Sequence, residues 1–243
     1  MITISSVSFT YPGAAEAVLR DVTLRVERGT LLCLCGANGS GKSTLLSLLA
    51  GLFAPSGGSL SVGSVQGKGQ ERELRRQAAL MLQDADLQII GSTVEEDLML
   101  TAGHGEEAYT RAYAMAQRFD LAKHWQSPVQ ILSYGQKRKL CLAAATLREP
   151  QLLLLDEPFS GLDYPAMMEL REVLRANARA GLTQIVSVHD VEPVIDLATA
   201  GAVLHKGGLA VSGEPARILE RAHEFGLRVP CSWRHGHGIQ PWE

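Results

Sequence analysis

The sequence lacks the features that mark membrane-spanning, secreted and nucleic-acid-binding proteins. No segment approaches the roughly 20 apolar residues that cross a bilayer, and residues 1–7 lack the charged-then-apolar pattern of a signal peptide. The 23 Lys and Arg against 26 Asp and Glu give a formal net charge of −3, without a basic cluster. We therefore expect a cytosolic protein that binds no nucleic acid and reaches a membrane only through a partner.

The four cysteines form no C-x-x-C pair and no pattern of a disulfide framework. Cys33 and Cys35 alternate with leucines, which predicts small buried side chains on a strand. Cys231, His235 and His237 have the spacing C-x-x-x-H-x-H near the end of the sequence. Either a metal site or a solvated tail or dimer contact fits this spacing. A solvated tail or dimer contact is favoured over a metal site, because a flexible segment gives metal ligands little preorganisation.

What is present is the composition of a globular protein, with 46% apolar and 20% charged residues over 243 positions. Residues 2–11 and 19–26 alternate apolar and polar side chains, which predicts half-buried antiparallel strands. The short apolar runs at 152–155 and 184–188 enclose a helical pattern at 165–179. This strand-helix-strand order predicts a parallel sheet covered on both faces.

The stretch from 86 to 149 is rich in helix-forming residues, and its first helix is predicted to open with a capping box in TVEE at 93–96. We therefore predict an α/β fold in which the core, with an antiparallel β subdomain, comprises residues 1–85 and 150–222. The helical subdomain at 86–149 is inserted into this core. Residues 223–243 are predicted to be a C-terminal tail.

The segment GANGSGKS at 36–43 fits the pattern G-x-x-x-x-G-K-[ST] and lies between an apolar run and a predicted helix. Such a loop turns its backbone amides toward phosphates at a helix N-terminus. Lys42 is predicted to lie between the β- and γ-phosphates, with the Ser43 hydroxyl as a magnesium ligand. The predicted nucleotide-binding residues in this segment are Gly36, Ala37, Asn38, Gly39, Ser40, Gly41, Lys42, Ser43 and Thr44.

The segment LLLLDEP at 152–158 is an apolar run that ends in two acids. Asp156 is predicted to hold magnesium through water, and Glu157 to polarise the attacking water as the general base. The alternative is that both acids simply end the strand beside Pro158. The phosphate loop earlier in the chain favours the catalytic interpretation.

The segment LSYGQ at 132–136 contains Ser133 and Gln136 in the spacing of a capping box, which predicts the start of a helix. The three segments, in this order, resemble the ATP-binding cassette of ABC transporters and their soluble relatives. The resemblance implies a P-loop NTPase fold with a RecA-like parallel sheet, ATP and Mg²⁺ as cofactors, and a second cassette subunit. It also implies that Ser133, Tyr134, Gly135 and Gln136 contact a γ-phosphate bound to that second subunit. The family's usual third residue is glycine, and Tyr134 replaces it here.

The same resemblance assigns roles to single residues outside these segments. It implies that Tyr11 stacks on adenine, that His189 senses the γ-phosphate, and that Asp163 lies in a loop that contacts the second subunit. Gln83 matches a glutamine that contacts magnesium and the attacking water. The implied magnesium ligands are Ser43, Gln83 and Asp156, and the implied catalytic residues are Glu157, His189, Gln83 and Lys42.

The segment QDADLQI at 83–89 resembles a pattern of energy-coupling-factor importers for cobalt, nickel and vitamins. This resemblance implies an integral membrane subunit that docks near Asp86 and Gln88, at the cytoplasmic face of the membrane. A soluble cassette ATPase, an exporter ATPase and a non-hydrolytic scaffold remain as alternatives. A scaffold is expected to lack the acid at position 157, which is present.

Overall fold

The computed structural model describes residues 1–242, which form two β-sheets and a set of helices. The first sheet has four antiparallel strands in the order β2-β1-β4-β5. The second sheet has six strands in the order β10-β9-β3-β8-β7-β6. The strands are β1 Ile2–Phe9, β2 Leu19–Val26, β3 Leu31–Cys35, β4 Gly57–Val62, β5 Val65–Gln66, β6 Ala78–Met81, β7 Leu152–Asp156, β8 Thr183–Val188, β9 Ala200–His205 and β10 Gly208–Gly213.

The six-stranded sheet is parallel except for the β9–β10 hairpin at its edge. Its central strands read as continuous apolar runs because both faces are buried. Alternate side chains of β3 enter different cores: Cys33 lies in one and Leu34 in the other. The predicted α/β fold, with its antiparallel β subdomain, is confirmed.

The helices cover the sheet and fill the insertion between β6 and β7. The insertion contains three helices, α3 to α5, and the connection between α4 and α5 contains two short 3₁₀ turns, so the segment is less continuously helical than predicted. The helices are α1 Lys42–Leu49, α2 Glu71–Gln77, α3 Val94–Ala102, α4 Glu106–Arg118, α5 Tyr134–Leu147, α6 Tyr164–Arg179, α7 Pro215–Arg221 and α8 Cys231–Arg234. No helix within residues 1–242 is both long enough and apolar enough to cross a bilayer.

The capping box predicted at the start of α3 is only half formed. The Thr93 hydroxyl accepts a hydrogen bond from the Glu96 amide at 3.1 Å, as predicted. The Glu96 carboxylate, however, accepts from the Ser92 amide at 2.9 Å and not from the Thr93 amide. The reciprocal bond has moved one residue toward the N-terminus.

The three buried cysteines behave as apolar side chains. Cys33 and Cys35 are fully buried on β3, as predicted, and Cys141 is buried on α5. A hydrogen bond with Cys35, together with burial, raises the pKa of Cys33, and burial raises the pKa of Cys141 to about 12. The thiols of Cys33 and Cys141 therefore stay protonated and unreactive at neutral pH.

The C-terminal segment packs partly on the core, although Cys231, His235 and His237 remain exposed, as in a solvated tail. Leu227 is buried, while Trp233 and Ile239 pack against the larger core cluster. The Trp242 amide donates to the Asp196 carboxylate at 3.2 Å, and its ring lies 5.3 Å from the Arg171 guanidinium. Sparse but well-placed apolar residues hold the segment, which periodicity does not reveal. The last residue of the predicted tail, Glu243, lies outside the described residues.

Candidate functional site

Parallel pairing of β3, β8 and β7 brings three chain segments together at one edge of the sheet. Cys35 pairs with Val188, and Asp156 pairs with Ser187. The phosphate loop that leaves β3, the acids that end β7 and the histidine that follows β8 are therefore neighbours. This edge, at the carboxyl ends of parallel strands, is where α/β proteins bind ligands.

The phosphate loop is held by backbone contacts that only glycine permits. Gly36 has φ +156° and Gly41 has φ +103°. A Cβ on Gly36 would lie 2.3 Å from the Leu204 carbonyl oxygen, and one on Gly41 would lie 2.6 Å from the Leu19 side chain. The Gly207 amide, in the β9–β10 turn, also donates to the Ser40 carbonyl at 3.2 Å. The loop is thus fixed between the two sheets before any ligand binds.

Lys42, the first residue of α1, is buried in a network of oxygens. Its ammonium donates to the Gly36 carbonyl at 2.8 Å and lies 3.2 Å from Oε1 of Glu157. Both side chains are less than a tenth exposed. Two predicted catalytic residues are therefore ion-paired inside the chain, as the desolvation of each charge requires.

The two acids at the end of β7 are connected by a residue that sequence reasoning missed. Ser187, fully buried on β8, donates from its hydroxyl to the Asp156 carboxylate at 2.6 Å. The same hydroxyl accepts from the Glu157 amide at 3.0 Å. A small hydroxyl two residues before His189 is the only local sign of this role in the sequence. Ser187 fixes the orientation of both acids.

Glu157 itself has a strained backbone. Its φ of +47° lies in the left-handed region, which is unfavourable for a side chain of this size. Oε2 of Glu157 lies 2.7 Å from Nδ1 of His189, whose side chain is half exposed. The predicted base and the predicted γ-phosphate sensor are therefore in direct contact, and the histidine opens the site to solvent.

A cavity of about 280 Å³ joins the phosphate loop to Gln83 and Glu157. Ser43 and Gln83 line it, whereas Asp156 lies outside the lining and is hydrogen-bonded to Ser187. The Ser40 hydroxyl is buried without a partner among residues 1–242. A hydroxyl, an amide oxygen and a nearby carboxylate are the donors that Mg²⁺ prefers, and the unpartnered hydroxyl suits a phosphate oxygen. The residues present therefore fit Mg²⁺ and a polyphosphate.

Tyr11 lies beside the start of α1. Its hydroxyl is 3.1 Å from the Thr44 hydroxyl, and its ring packs edge-on against Phe9 and Phe53. The side chain is about one-third exposed. Its stacking on adenine stays a prediction, for which this position next to the phosphate loop is suitable. We call the loop at 36–44, with Tyr11, Gln83, Asp156, Glu157, Ser187 and His189, the phosphate-loop site.

The segment predicted to act on a second subunit forms a separate surface. Ser133 caps α5 in a complete capping box with Gln136, at 3.3 and 2.8 Å, as predicted. Tyr134 and Gly135 have negative φ within the helix, so tyrosine is tolerated in place of glycine. Asp163 is exposed and caps α6 by accepting from the Ala166 amide at 3.1 Å. Residues 133–136 and 161–163 line one cavity, and we call them the signature site.

Gly135 has no steric reason within the chain to be glycine. A Cβ there would meet only the Leu162 side chain, at 4.0 Å. The absence of a side chain therefore leaves space on the outside of the helix N-terminus, where backbone amides attract anions.

The predicted docking residues differ from each other in their environment. The Gln88 side chain accepts from the Leu82 amide at 2.8 Å and donates to the Leu80 carbonyl, so it braces β6. Asp86 is exposed and pairs with Lys137 at 2.6 Å. The large exposed side chains beside them are Leu87 and Ile90, about four-fifths exposed, which sequence reasoning did not single out.

Residues 19–160 match the protein family described as ABC transporter. The chain is 36% identical to the cobalt import ATP-binding protein CbiO of Rhodobacter capsulatus, over 93% of this chain and 84% of that protein. It is 31% identical to the energy-coupling factor transporter ATP-binding protein EcfA1 of Mycoplasmopsis synoviae, over 99% and 95% respectively.

The structure of cbiO1 from Clostridium perfringens, described as part of the transporter complex cbiONQ, has the same fold. It superposes with a TM-score of 0.76 over 97% of each chain, at 24% identity. The family match, the two relatives and the phosphate-loop site agree. The chain therefore belongs to the ABC transporter family, as one of its ATP-hydrolysing cassettes.

Proposed function

We propose that this chain is the ATP-hydrolysing subunit of a membrane importer of the energy-coupling-factor type. It works as a dimer that closes around two ATP molecules, with Mg²⁺ at each site. The subunit lies at the cytoplasmic face of the membrane and drives an integral membrane partner. The import of cobalt named for the Rhodobacter relative supports a transition metal ion such as cobalt or nickel as cargo, with a vitamin as the other class.

The single observation that carries the catalytic part is the contact of Glu157 with both Lys42 and His189. Without nucleotide, the ammonium of Lys42 neutralises the carboxylate of Glu157. Phosphate oxygens attract that ammonium, which leaves the Glu157 carboxylate free to accept a proton from water. His189, on the solvent side, then donates to the γ-phosphate.

Ser43, Gln83 and, through water, Asp156 would hold Mg²⁺, which would neutralise charge on the phosphates. The amides of the phosphate loop and the ammonium of Lys42 orient the nucleotide. Ser187 keeps the Asp156 carboxylate in place for this role, because its hydroxyl donates at 2.6 Å.

Dimerisation is supported by the signature site. Ser133 and Gly135 present a helix N-terminus with open space above it, yet they line a cavity separate from the phosphate loop. A γ-phosphate bound by a second copy fits that space. The two sites of one chain then serve two different ATP molecules.

Docking of a membrane partner is supported by three apolar side chains near Gln88, namely the sequence neighbour Leu87 and, lining one cavity with Gln88, Ile90 and Leu100, each more than three-fifths exposed; we call them the apolar patch. Exposed apolar side chains grouped on one surface are typical of protein contacts. The patch is connected to Gln83 through Gln88, which is bonded to the end of β6. A partner seated there would act on the phosphate-loop site through this short connection.

Glu157→Gln tests the catalytic and dimeric parts together. Removal of the base is expected to lower hydrolysis by about 100-fold or more, while ATP binding persists and a closed dimer accumulates. Phosphate release and size-exclusion chromatography with Mg-ATP measure both. Glu172→Gln on α6, whose carboxylate is exposed, is the matched control. Normal turnover, or a monomer with ATP bound, would contradict the assignment.

Affinity purification of the chain from detergent-solubilised membranes tests the partner. Mass spectrometry is expected to identify a polytopic membrane subunit, and Leu87→Asp with Ile90→Asp is expected to release it. Leu52→Asp, an exposed position on the core, is the control. Recovery of the chain without any membrane protein would favour a soluble cassette ATPase instead.

A further inference from the structure

One arginine of the helical subdomain connects the signature helix to the phosphate-loop site. Arg138 lies one turn inside α5 and is only 3% exposed. Its guanidinium donates to the backbone carbonyl of Glu157 and to the backbone carbonyl of Gln83. A single side chain therefore holds the main chain at two of the residues to which we assign roles in hydrolysis.

Tyr134, one helical turn earlier, extends this connection to the signature site. The Arg138 guanidinium lies 5.6 Å from the centre of the Tyr134 ring. The Tyr134 ring also packs on Gly161, because a Cβ built on Gly161 would lie 2.9 Å from a ring carbon of Tyr134. Tyrosine at this position thus contacts the dimer-contact loop and Arg138 at once, which glycine in the usual family form cannot do.

The chemistry of Arg138 is unusual for a residue that only stabilises a fold. Its hydrogen-bond acceptors are two neutral carbonyls and, at 3.5 Å, the neutral Tyr134 hydroxyl, and its Nε has no partner among residues 1–242. Among residues 1–242 Arg138 forms no salt bridge, and the Glu157 carboxylate is already engaged by Lys42 and His189. A buried charge without an anionic partner is a poor means of stabilisation. A rigid planar fork is, however, a good means of fixing two carbonyls relative to one helix.

We propose that Tyr134 and Arg138 are positioning residues that couple the two ATP sites of the dimer. Contact of Ser133 and Gly135 with the ATP held by a second copy shifts the first turn of α5. Arg138 transmits that shift to the carbonyls of Glu157 and Gln83, which belong to the ATP site of its own chain. This inference rests on the proposed function, because it needs an ATP shared between two copies.

The expected consequence is cooperative hydrolysis that depends on Arg138. The wild-type chain is expected to show a Hill coefficient near 2 for ATP, the limit for two sites. Arg138→Lys keeps the charge but loses the fork. It is expected to lower the Hill coefficient toward about 1 and kcat by about ten-fold, with binding of a fluorescent ATP analogue to the monomer unchanged. Tyr134→Gly is expected to lower the Hill coefficient while changing kcat less.

Lys139→Met is the matched control, since Lys139 is the next residue of α5 and pairs with Glu169 on α6. It is expected to retain both the Hill coefficient and kcat. Thermal unfolding of each variant shows whether it folds. If Arg138→Lys does not fold, Tyr134→Gly carries the test, because its side chain is exposed at the helix start.

A folded Arg138→Lys variant with wild-type kcat and Hill coefficient would overturn the inference. So would a wild-type Hill coefficient of about 1, or equal losses in Lys139→Met. Failure of the proposed function gives a different result, in which Glu157→Gln stays monomeric with Mg-ATP. If Glu157→Gln forms a dimer with Mg-ATP but the wild-type chain hydrolyses ATP without cooperativity, the proposed function stands and only this inference fails.

Discussion

The phosphate-loop site and the signature site differ in how much they destabilise the folded protein. The first contains a buried ion pair, a strained acid and glycines pressed against backbone oxygens. The second contains a well-formed capping box, an exposed aspartate cap and a glycine with open space around it. One is assembled at the expense of stability, whereas the other is built from ordinary helix ends.

This difference indicates where the chemistry of each site is completed. The groups of the phosphate-loop site already neutralise one another, so ligand binding must rearrange existing contacts. The signature site has open space beside Gly135 at a helix N-terminus, so we propose that it is completed from outside. The comparison predicts that substitutions at the first site change stability and activity together, while those at the second change activity alone.

The largest expected effect on stability is that of Lys42→Met. This change leaves the Glu157 carboxylate buried without its cation, which we expect to lower the free energy of unfolding by about 3 kcal/mol. Urea unfolding without nucleotide measures it. The double variant with Glu157→Gln is expected to recover most of the loss, because the unpaired charge is gone. An unchanged urea midpoint for Lys42→Met would contradict the proposed difference in stability between the two sites.

Alanine substitutions of one glycine in each site test the difference between the two sites further. Gly36→Ala is expected to cost about 2 to 3 kcal/mol, since the new Cβ meets the Leu204 carbonyl oxygen at 2.3 Å. Gly135→Ala is expected to leave the free energy of unfolding unchanged or slightly raised, because alanine favours a helix and has room. Its ATPase activity is nevertheless expected to fall. Thermal unfolding and phosphate release on both variants test this contrast, and a destabilised Gly135→Ala would contradict it.

Ser187→Ala has a smaller expected effect at the phosphate-loop site. Loss of the hydroxyl removes the 2.6 Å bond to Asp156 and one acceptor of the Glu157 amide. We expect a loss of about 1 to 2 kcal/mol, together with a higher Mg²⁺ concentration for half-maximal nucleotide binding. Ser212→Ala on the edge strand β10 is the control. A variant with normal stability and normal Mg²⁺ dependence would remove Ser187 from the site.

Trp242→Ala has the smallest expected effect, on the side of the signature site. Its ring lies 5.3 Å from the Arg171 guanidinium and 5.6 Å from the Tyr164 ring, next to Asp163. We expect a loss of about 0.5 to 1 kcal/mol, with faster amide hydrogen exchange at residues 160–166. Equal exchange in both proteins would show that the C-terminal segment does not support the loop at 160–163.

The parts of both sites that could be predicted from sequence are those set by local spacing. The phosphate loop, the paired acids after β7 and the capping box at Ser133 each lie within eight consecutive residues. The contacts of Ser187, Arg138 and Lys42 could not be predicted, because they depend on strand register and on helices far apart in the sequence. The packing of the C-terminal segment on the core was not predicted for a related reason, because its few apolar residues follow neither a helical nor a strand period.

The left-handed backbone at Glu157 has a consequence for the laboratory evolution of this protein. Glycine or asparagine at that position would relax the main chain, and glycine most of all. The same change alone would leave the Lys42 ammonium buried without its anion, so a screen that rewards heat resistance would favour variants in which positions 42 and 157 change together, and both proposed catalytic residues would be lost. A selection for thermostable variants should therefore include a second selection for ATP turnover. Otherwise it will enrich stable proteins that no longer hydrolyse ATP.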